Sequence, residues 1–316
     1  MGASASDRLD VLVARELDLS RTQAATLIAR GAVEVDGRRE KASYRPETGE
    51  SVTVTVVPPE ARAVLPEEID LSISYEDEHL LVVDKPAGMV VHPAPGNWSG
   101  TLVNALLGRA GGAPAGEEER AGLVHRLDKE TSGLLLVAKT ERAHRRLAAA
   151  LAARRISRRY AVMIWGHLSA DELTIEKPLA RSPRDRKRMA VVTSGRPART
   201  DVVRLARFGV GDFLRAHLHT GRTHQIRVHL ASVGHPVMGD DTYGGGGARK
   251  LVSLPPRRHF LHAAWLRFHH PETGELLDVR SPLPPDLRIA LSAIAASDEI
   301  SECADPLVAL RFYDER

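Results

Sequence analysis

The segment 125–138 runs from a charged turn, His125-Arg-Leu-Asp-Lys-Glu-Thr-Ser-Gly133, straight into five apolar residues, Leu134-Leu-Leu-Val-Ala138. An unbroken apolar run of this length suits a strand covered on both faces, which requires a central sheet. Such a strand pins the polar turn before it at the sheet's edge, and function concentrates on loops held in this way. Within the turn, Asp128 lies between Arg126 and Lys129. Both cations favour an ionised carboxylate, which suits a nucleophile or base more than an acid. A turn aspartate satisfied by backbone amides is the alternative, and the rest of the chain decides between the two.

At 316 residues, 43% of them hydrophobic, the chain is long enough for two or three domains with ample globular core. Its net charge is only +3, so any surface for a polyanion must come from the distribution of its arginines. Cys303 is the single cysteine, which excludes an intramolecular disulfide or a multi-cysteine zinc site and fits a reducing, cytoplasmic setting. No apolar run approaches the ~18 residues of a membrane span, and a protein without membrane contact is expected.

The first part of the chain reads as a small α/β module over 8–57. Ser20 and Gln23 form a capping-box pattern for a helix over 21–30 that Gly31 ends. An earlier helix covers roughly 8–17. Val33-Glu-Val35 runs into Asp36-Gly37, a hairpin signal, and Val52, Val54 and Val56 alternate as a strand. So small a core usually serves as an accessory that binds something. The pattern resembles the S4-like RNA-binding domain first described in a ribosomal protein of the small subunit. That resemblance makes Arg21, Arg30, Arg38 and Arg39 candidate phosphate contacts. Pro58-Pro59 and Pro66 mark a stiff linker over 58–70.

From Leu71 onward strands dominate, at 80–83, 134–138, 160–165, 213–218 and 276–279, with helices at 140–154 and 223–233 between them. Dispersed helices argue for the α+β class with a mixed sheet over 71–296. The stretch 108–119 reads as a surface loop, and 297–316 as a C-terminal tail. Four histidines between His217 and His229 invite a metal. No Asp or Glu occurs between Asp212 and Asp240, however, and Arg215, Arg222 and Arg227 would repel a cation. A cationic patch that receives an anion, either a phosphate or the Asp128 carboxylate, fits better, so no metal is expected.

Three stretches now carry a family resemblance: the Asp128 turn, Arg159-Tyr160 at the start of the next strand, and Gly221-Arg-Thr-His-Gln-Ile-Arg-Val-His229. They resemble the motifs of the RluA family of pseudouridine synthases, which modify large ribosomal RNA. Asp84-Lys-Pro-Ala-Gly-Met-Val-Val-His92, Gly100-Thr-Leu-Val-Asn-Ala-Leu and Gly234-His-Pro-Val-Met-Gly-Asp240 add to the likeness. The N-terminal module narrows it to RluD-like and RluC-like members, and Gly96-Asn-Trp-Ser-Gly-Thr101 favours the former.

The resemblance implies a largely antiparallel mixed sheet with the cleft across its middle. The implied reaction detaches uracil from C1′ of a uridine in RNA, turns it and rejoins it through C5, with no cofactor. Asp128 matches the catalytic aspartate, Tyr160 the tyrosine packed on the base, and Arg227 the basic residue paired with the aspartate. Ile226 matches the apolar lining of the base pocket, and Arg126 the arginine that fills the gap left by the flipped uridine; Arg222 is counted with the substrate-binding residues. The implied partner is ribosomal RNA or an assembling large subunit, acted on by a monomer.

A glycoside hydrolase would need a second carboxylate about 5 to 9.5 Å from the first. Only Glu130 is close in sequence, and nothing singles it out. A non-catalytic RNA-binding protein would give Asp128 no role beyond shape. Without a helix-turn-helix or finger pattern, DNA is not expected.

Overall fold

The computed structural model describes residues 7–17, 19–55, 63–94, 96–109, 121–244 and 252–315. The chain divides into two units, Met1–Ala63 and Val64–Arg316. In the first, α1 (Leu9–Glu16) and α2 (Arg21–Ala29) pack with a three-stranded sheet of β1 (Val33–Val35), β2 (Arg38–Arg39) and β3 (Val52–Val54). Ser20 Oγ accepts from Gln23 N at 3.2 Å and the Gln23 side chain accepts from Ser20 N at 2.9 Å, so both ends of the capping box are closed. Asp36 and Gly37 take φ values of +46° and +74°, the left-handed pair a two-residue hairpin demands. Arg30, Arg38 and Arg39 are exposed. Arg21 donates at 2.9 Å to the buried Asp10, which Arg8 also holds. Val56 and Pro58-Pro59 lie outside the described residues.

The second unit contains β4 (Ser72–Glu76), β5 (Leu80–Lys85), α3 (Leu102–Gly108), β6 (Ser132–Ala138), α4 (Glu141–Ala152), β7 (Ser157–Met163), β8 (Glu172–Glu176), β9 (Leu179–Arg181), β10 (Met189–Val191), β11 (Arg199–Phe208), β12 (Gly211–Leu218), α5 (Gln225–Ser232), β13 (Leu261–His269), β14 (Leu276–Arg280), α6 (Pro285–Ala295), α7 (Asp298–Glu302) and α8 (Pro306–Ala309). Among the described residues nine strands form one sheet in the order β4-β5-β6-β13-β7-β12-β11-β8, with β14 beside β13, while β9 and β10 pair apart from it. Every pairing in the large sheet is antiparallel except β6 with β13. All seven residues of β6 are buried, as an apolar run in a central strand should be.

That one parallel contact positions the site, because it brings the segments that precede β6 and β13 to the same edge. Gly133 permits it. With φ at +109° and a Cβ position only 2.4 Å from the Ala263 carbonyl oxygen, only glycine fits. Gly133, Ala263, Tyr160 and Ala216 then form a row across β6, β13, β7 and β12, so Tyr160 stands between two alanines.

Two expectations about the chain's organisation change. Residues 297–316, read as a tail, carry α7 and α8, and Ile300, Leu307 and Phe312 are buried with α6 in a core beneath β13 and β12. Arg215 donates to the Phe312 carbonyl at 2.8 Å, tying the segment to β12. Short helices split by polar turns carry little periodicity, which hid them. The linker ends earlier than expected: Val64 and Leu71 pack on the main core, and Asn104 Nδ2 donates to the Leu65 carbonyl at 2.7 Å. Most of the loop expected over 108–119 lies outside the described residues.

Phe312→Ala should lower stability by about 3–5 kcal/mol, the usual cost of emptying a buried phenylalanine site. Urea unfolding measures this. A shift below about 1 kcal/mol would mean that the last helices do not hold the core together.

Candidate active site

Asp128 sits in the turn before β6, and what fixes it comes from three directions. Lys85, at the end of β5 and fully buried, donates from Nζ to the carbonyls of Pro86, Met89 and Lys129 at 2.7, 2.9 and 3.2 Å. Burial pushes the Lys85 ammonium down to about 7, with the Arg258 charge acting in the same sense. From the segment before β13, Arg258 donates to the Glu130 carbonyl and, at 2.7 Å, to Ser132 Oγ. His259 Nε2 shares a 2.9 Å hydrogen bond with Thr131 Oγ1, and His262 Nδ1 one of the same length with Ser132 Oγ. These are the contacts that parallel pairing makes possible.

Arg227 faces the carboxylate from α5. Its Nη1 donates to Asp128 Oδ2 at 3.0 Å, while Nε and Nη2 grip Asp240 bidentately at 2.7 and 2.9 Å. Asp240 is fully buried and its Oδ1 also accepts from the amides of Thr242 and Tyr243. Burial alone would depress the guanidinium's pKa, but the hydrogen bonds to Asp240 and the charge of Asp128 raise it, so Arg227 is permanently charged. Two carboxylates and one guanidinium leave one negative charge in the group.

His224 completes the surroundings of the carboxylate. It is the residue before α5 and takes φ +56°, a left-handed conformation unusual for a non-glycine and common where function imposes strain. Its Nδ1 lies 2.8 Å from Tyr243 Oη, its Nε2 is 3.9 Å from Asp128 Oδ1, and burial lowers its pKa. Gln225 locks the preceding turn, accepting from Thr220 Oγ1 and Arg222 N and donating to the Arg199 carbonyl and Thr200 Oγ1.

Of these groups Asp128, Thr131, His224, Gln225 and Arg227 line a cleft of about 710 Å³. Asp128, Tyr160, Arg227, Arg126, Ile226 and Arg222 all contribute to its wall, so every residue singled out for catalysis or substrate in this unit is brought to one place. Tyr160 and Ile226 are buried, and burial raises the Tyr160 phenol's pKa, leaving it neutral. Arg126 is exposed, and Arg222 donates from Nε to the Pro197 carbonyl at 3.3 Å. Among the described lining residues Asp128 is the sole carboxylate, against Arg126, Arg154, Arg158, Arg222 and Arg227. A wall so charged favours a polyanionic substrate. Asp240, the other carboxylate nearby, is closed off behind Arg227 and does not line the cleft, which disfavours a two-carboxylate hydrolase.

Residues 79–232 match the RNA pseudouridylate synthase family, and residues 7–52 match the S4 domain. A ribosomal large subunit pseudouridine synthase D of Nitrosomonas europaea is 44% identical over 294 residues, covering 91% of this chain and 84% of that one. The chain belongs to the RNA pseudouridylate synthase family. An uncharacterized RNA pseudouridine synthase of Bacillus subtilis is similarly 44% identical over 284 residues, 89% of this chain and 92% of that one. The solved structure of human RNA pseudouridylate synthase domain containing 1 aligns with a TM-score of 0.55 and 31% identity, covering 70% of this chain and 87% of that one. As a member of the family the chain is a pseudouridine synthase, an isomerase of uridine in RNA, with an S4 domain at its N-terminal end.

Sequence reasoning did not assign the synthase's Asp240, His224, Tyr243, Arg258 or His259, nor a role for Lys85. Asp240, His224 and Lys85 do stand inside stretches that carry the family likeness, which is the signal they offered. One carboxylate does stand beside two of the histidines. Pairing of β11 with β12 sets Asp201 opposite His217, so a carboxylate does join His217 and His219, with ligand atoms within 4.8 Å of one another. Arg199 holds that carboxylate at 3.1 and 3.2 Å, and His219 Nε2 is 2.5 Å from it.

The histidines around the turn give the synthase an acid-sensitive core. Burial pushes His125 down to about 3 and His262 to about 4, and drives His259 well below its ordinary value. Their folded pKa values lie below the unfolded 6.5, so between those limits the unfolded chain binds more protons and stability falls as pH falls. Each contributes up to about 1.4 kcal/mol per pH unit in its window. Urea unfolding from pH 6.5 down to pH 4 should show this slope, and His262→Asn should remove about one histidine's share. An unchanged slope would contradict the burial of a neutral imidazole there.

Proposed function

We propose that Asp128 performs the glycosidic rearrangement and that Arg227 keeps its carboxylate aimed. The observation that carries this reading is the 3.0 Å contact of Arg227 with Asp128 in a cleft also walled by Tyr160 and Ile226. The uridine must leave its stack to enter, at a cost of a few kcal/mol that the pocket offsets. Tyr160 offers its ring to the base between Ala263 and Ala216, Ile226 closes the apolar wall, and exposed Arg126 takes the vacated space. Arg222, at the cleft's polar end, meets the strand. Breaking the N1–C1′ bond develops positive charge on the ribose, which ionised Asp128 stabilises or captures. Uracil turns, C5 bonds to C1′, the C5 proton is lost, and N1 regains one.

The substrate we favour is large-subunit ribosomal RNA. Relatives such as the Nitrosomonas protein carry that substrate in their names, and the Gly96–Thr101 stretch is RluD-like, which points to the stem-loop that reaches the decoding region. The protein acts as a cytoplasmic monomer on that RNA or on the assembling subunit; none of its described helices is long and apolar enough to cross a membrane. The S4 domain positions the RNA through Arg30, Arg38 and Arg39, with Arg21 partly committed to Asp10.

Asp128→Asn should abolish pseudouridine formation and leave RNA affinity within about tenfold, since volume is kept and charge is lost. Arg227→Ala should be almost as damaging, because it strands two carboxylates, while Arg222→Ala does less. Tritium release from 5-tritiated uridine in ribosomal RNA reports both. More than a few per cent of wild-type turnover in the Asn variant would sink the assignment.

Removing residues 1–63 should weaken RNA binding and flatten the dependence of log affinity on log salt, by roughly one unit for each phosphate that the shortened protein no longer neutralises. Titrations at several salt concentrations decide this; an unchanged slope would leave the S4 domain without a role in holding RNA.

A further inference from the structure

Among the described residues of the second unit four arginines are buried, and three of them are satisfied. Arg227 is shared by two carboxylates, Arg258 is paired with Asp286 at 2.7 Å, and Arg215 donates to the carbonyls of Phe312 and Asp314. The fourth is Arg158, on β7 two residues before Tyr160 and 6% exposed. Among the described residues no carboxylate pairs with it. Its Nε has no hydrogen-bond partner, and its one hydrogen bond is a long one, from Nη2 to the Leu218 carbonyl at 3.5 Å.

A buried guanidinium left unneutralised is costly, and a chain retains one at a site where an anion arrives. Arg158 lines the cleft that holds Asp128. As an i, i+2 neighbour on one strand it lies on the same face of the sheet as Tyr160. The adjoining turn leaves it open: Gly221 is exposed, its φ lies outside the left-handed region, and a Cβ there would come within 3.0 Å of Arg158 Nη1. A side chain at 221 would crowd the space over the guanidinium.

We propose that Arg158 is the receptor for a backbone phosphate of the RNA strand that carries the target uridine. The inference rests on reading the cleft as the uridine site. A phosphate supplies the missing negative charge and two oxygens for the planar fork, whereas a uracil carbonyl supplies one acceptor and no charge. Within the cleft Asp128 is already committed to Arg227. Held on the Tyr160 face, a clamped phosphate fixes the strand beside the flipped base.

The test compares wild-type protein with Arg158→Met and Arg158→Lys, using an in vitro transcript of large-subunit ribosomal RNA. Arg158→Met keeps length and removes charge. Its affinity should fall about tenfold, and its slope of log affinity against log salt should flatten by roughly 0.7, the value for one phosphate of a single strand. Turnover should suffer through KM, with kcat within about threefold. Arg158→Lys should keep the slope and recover only part of the affinity. Because the substitution removes an unpaired buried charge, the free protein should melt at the same temperature or higher.

The salt slope is decisive whatever the melting temperature does, and an unchanged slope in Arg158→Met overturns the proposal. If inorganic phosphate at constant ionic strength raises the melting temperature of wild type but not of the Met variant while the slope is unchanged, the anion is free phosphate, and the assignment to RNA is equally overturned. Failure of the uridine reading shows itself separately, as wild-type protein that binds the transcript and forms no pseudouridine.

Discussion

Arg227 is held between two carboxylates, and the rest of the cleft is arranged around that sharing. Asp240 takes two of its nitrogens and is itself saturated by the amides of Thr242 and Tyr243, so the third, Nη1, has one direction left and meets Asp128. The group is an ion triad in which one member serves to orient another. Its cost is desolvation of three charges, offset by short bidentate geometry. Its result is a carboxylate held in one orientation in the wall of a cleft also lined by a phenol ring and an isoleucine.

Each member of the triad arrives from a different part of the fold. Asp128 stands before β6, Arg227 on α5, and Asp240 after a stretch in which Met238 exchanges backbone hydrogen bonds with Met163 and Phe260. Parallel pairing of β6 with β13 is the geometric condition for the first of these. Had the two strands run antiparallel, Arg258 and His259 would lie at the far end of β13, and the carbonyl of Glu130 and the hydroxyl of Thr131 would lose their partners. Gly133 allows the backbones to approach closely enough for the contact.

How much of this the residues announced follows from the range of the signals. The helix cap at Ser20, the Asp36-Gly37 turn and the apolar run in β6 are local, and each appears where its pattern places it. Asp128 was legible because an acid set between Arg126 and Lys129 in a turn before a buried strand is a local anomaly. The partnership of Arg227 with Asp240 was not, since it depends on how α5 packs against a loop thirteen residues later. Cross-strand register was equally silent, which is why Asp201 could join His217 and His219 unannounced. The C-terminal helices are short, and their apolar residues make sense only beside the Phe213 and Trp265 surface they cover.

The parallel strand pair also sets a time order on assembly. Its contacts join residues about 130 positions apart, Ser132 with His262 and Thr131 with His259, so they close a long loop and cannot form until β13 has been made. A stretch of chain that contains Asp128, Tyr160 and Arg227 but ends before β13 lacks Arg258 and His259, the partners of the Glu130 carbonyl and the Thr131 hydroxyl. The framework of the Asp128 turn is therefore complete only once the segment before β13 has joined it, and local contacts alone cannot build it.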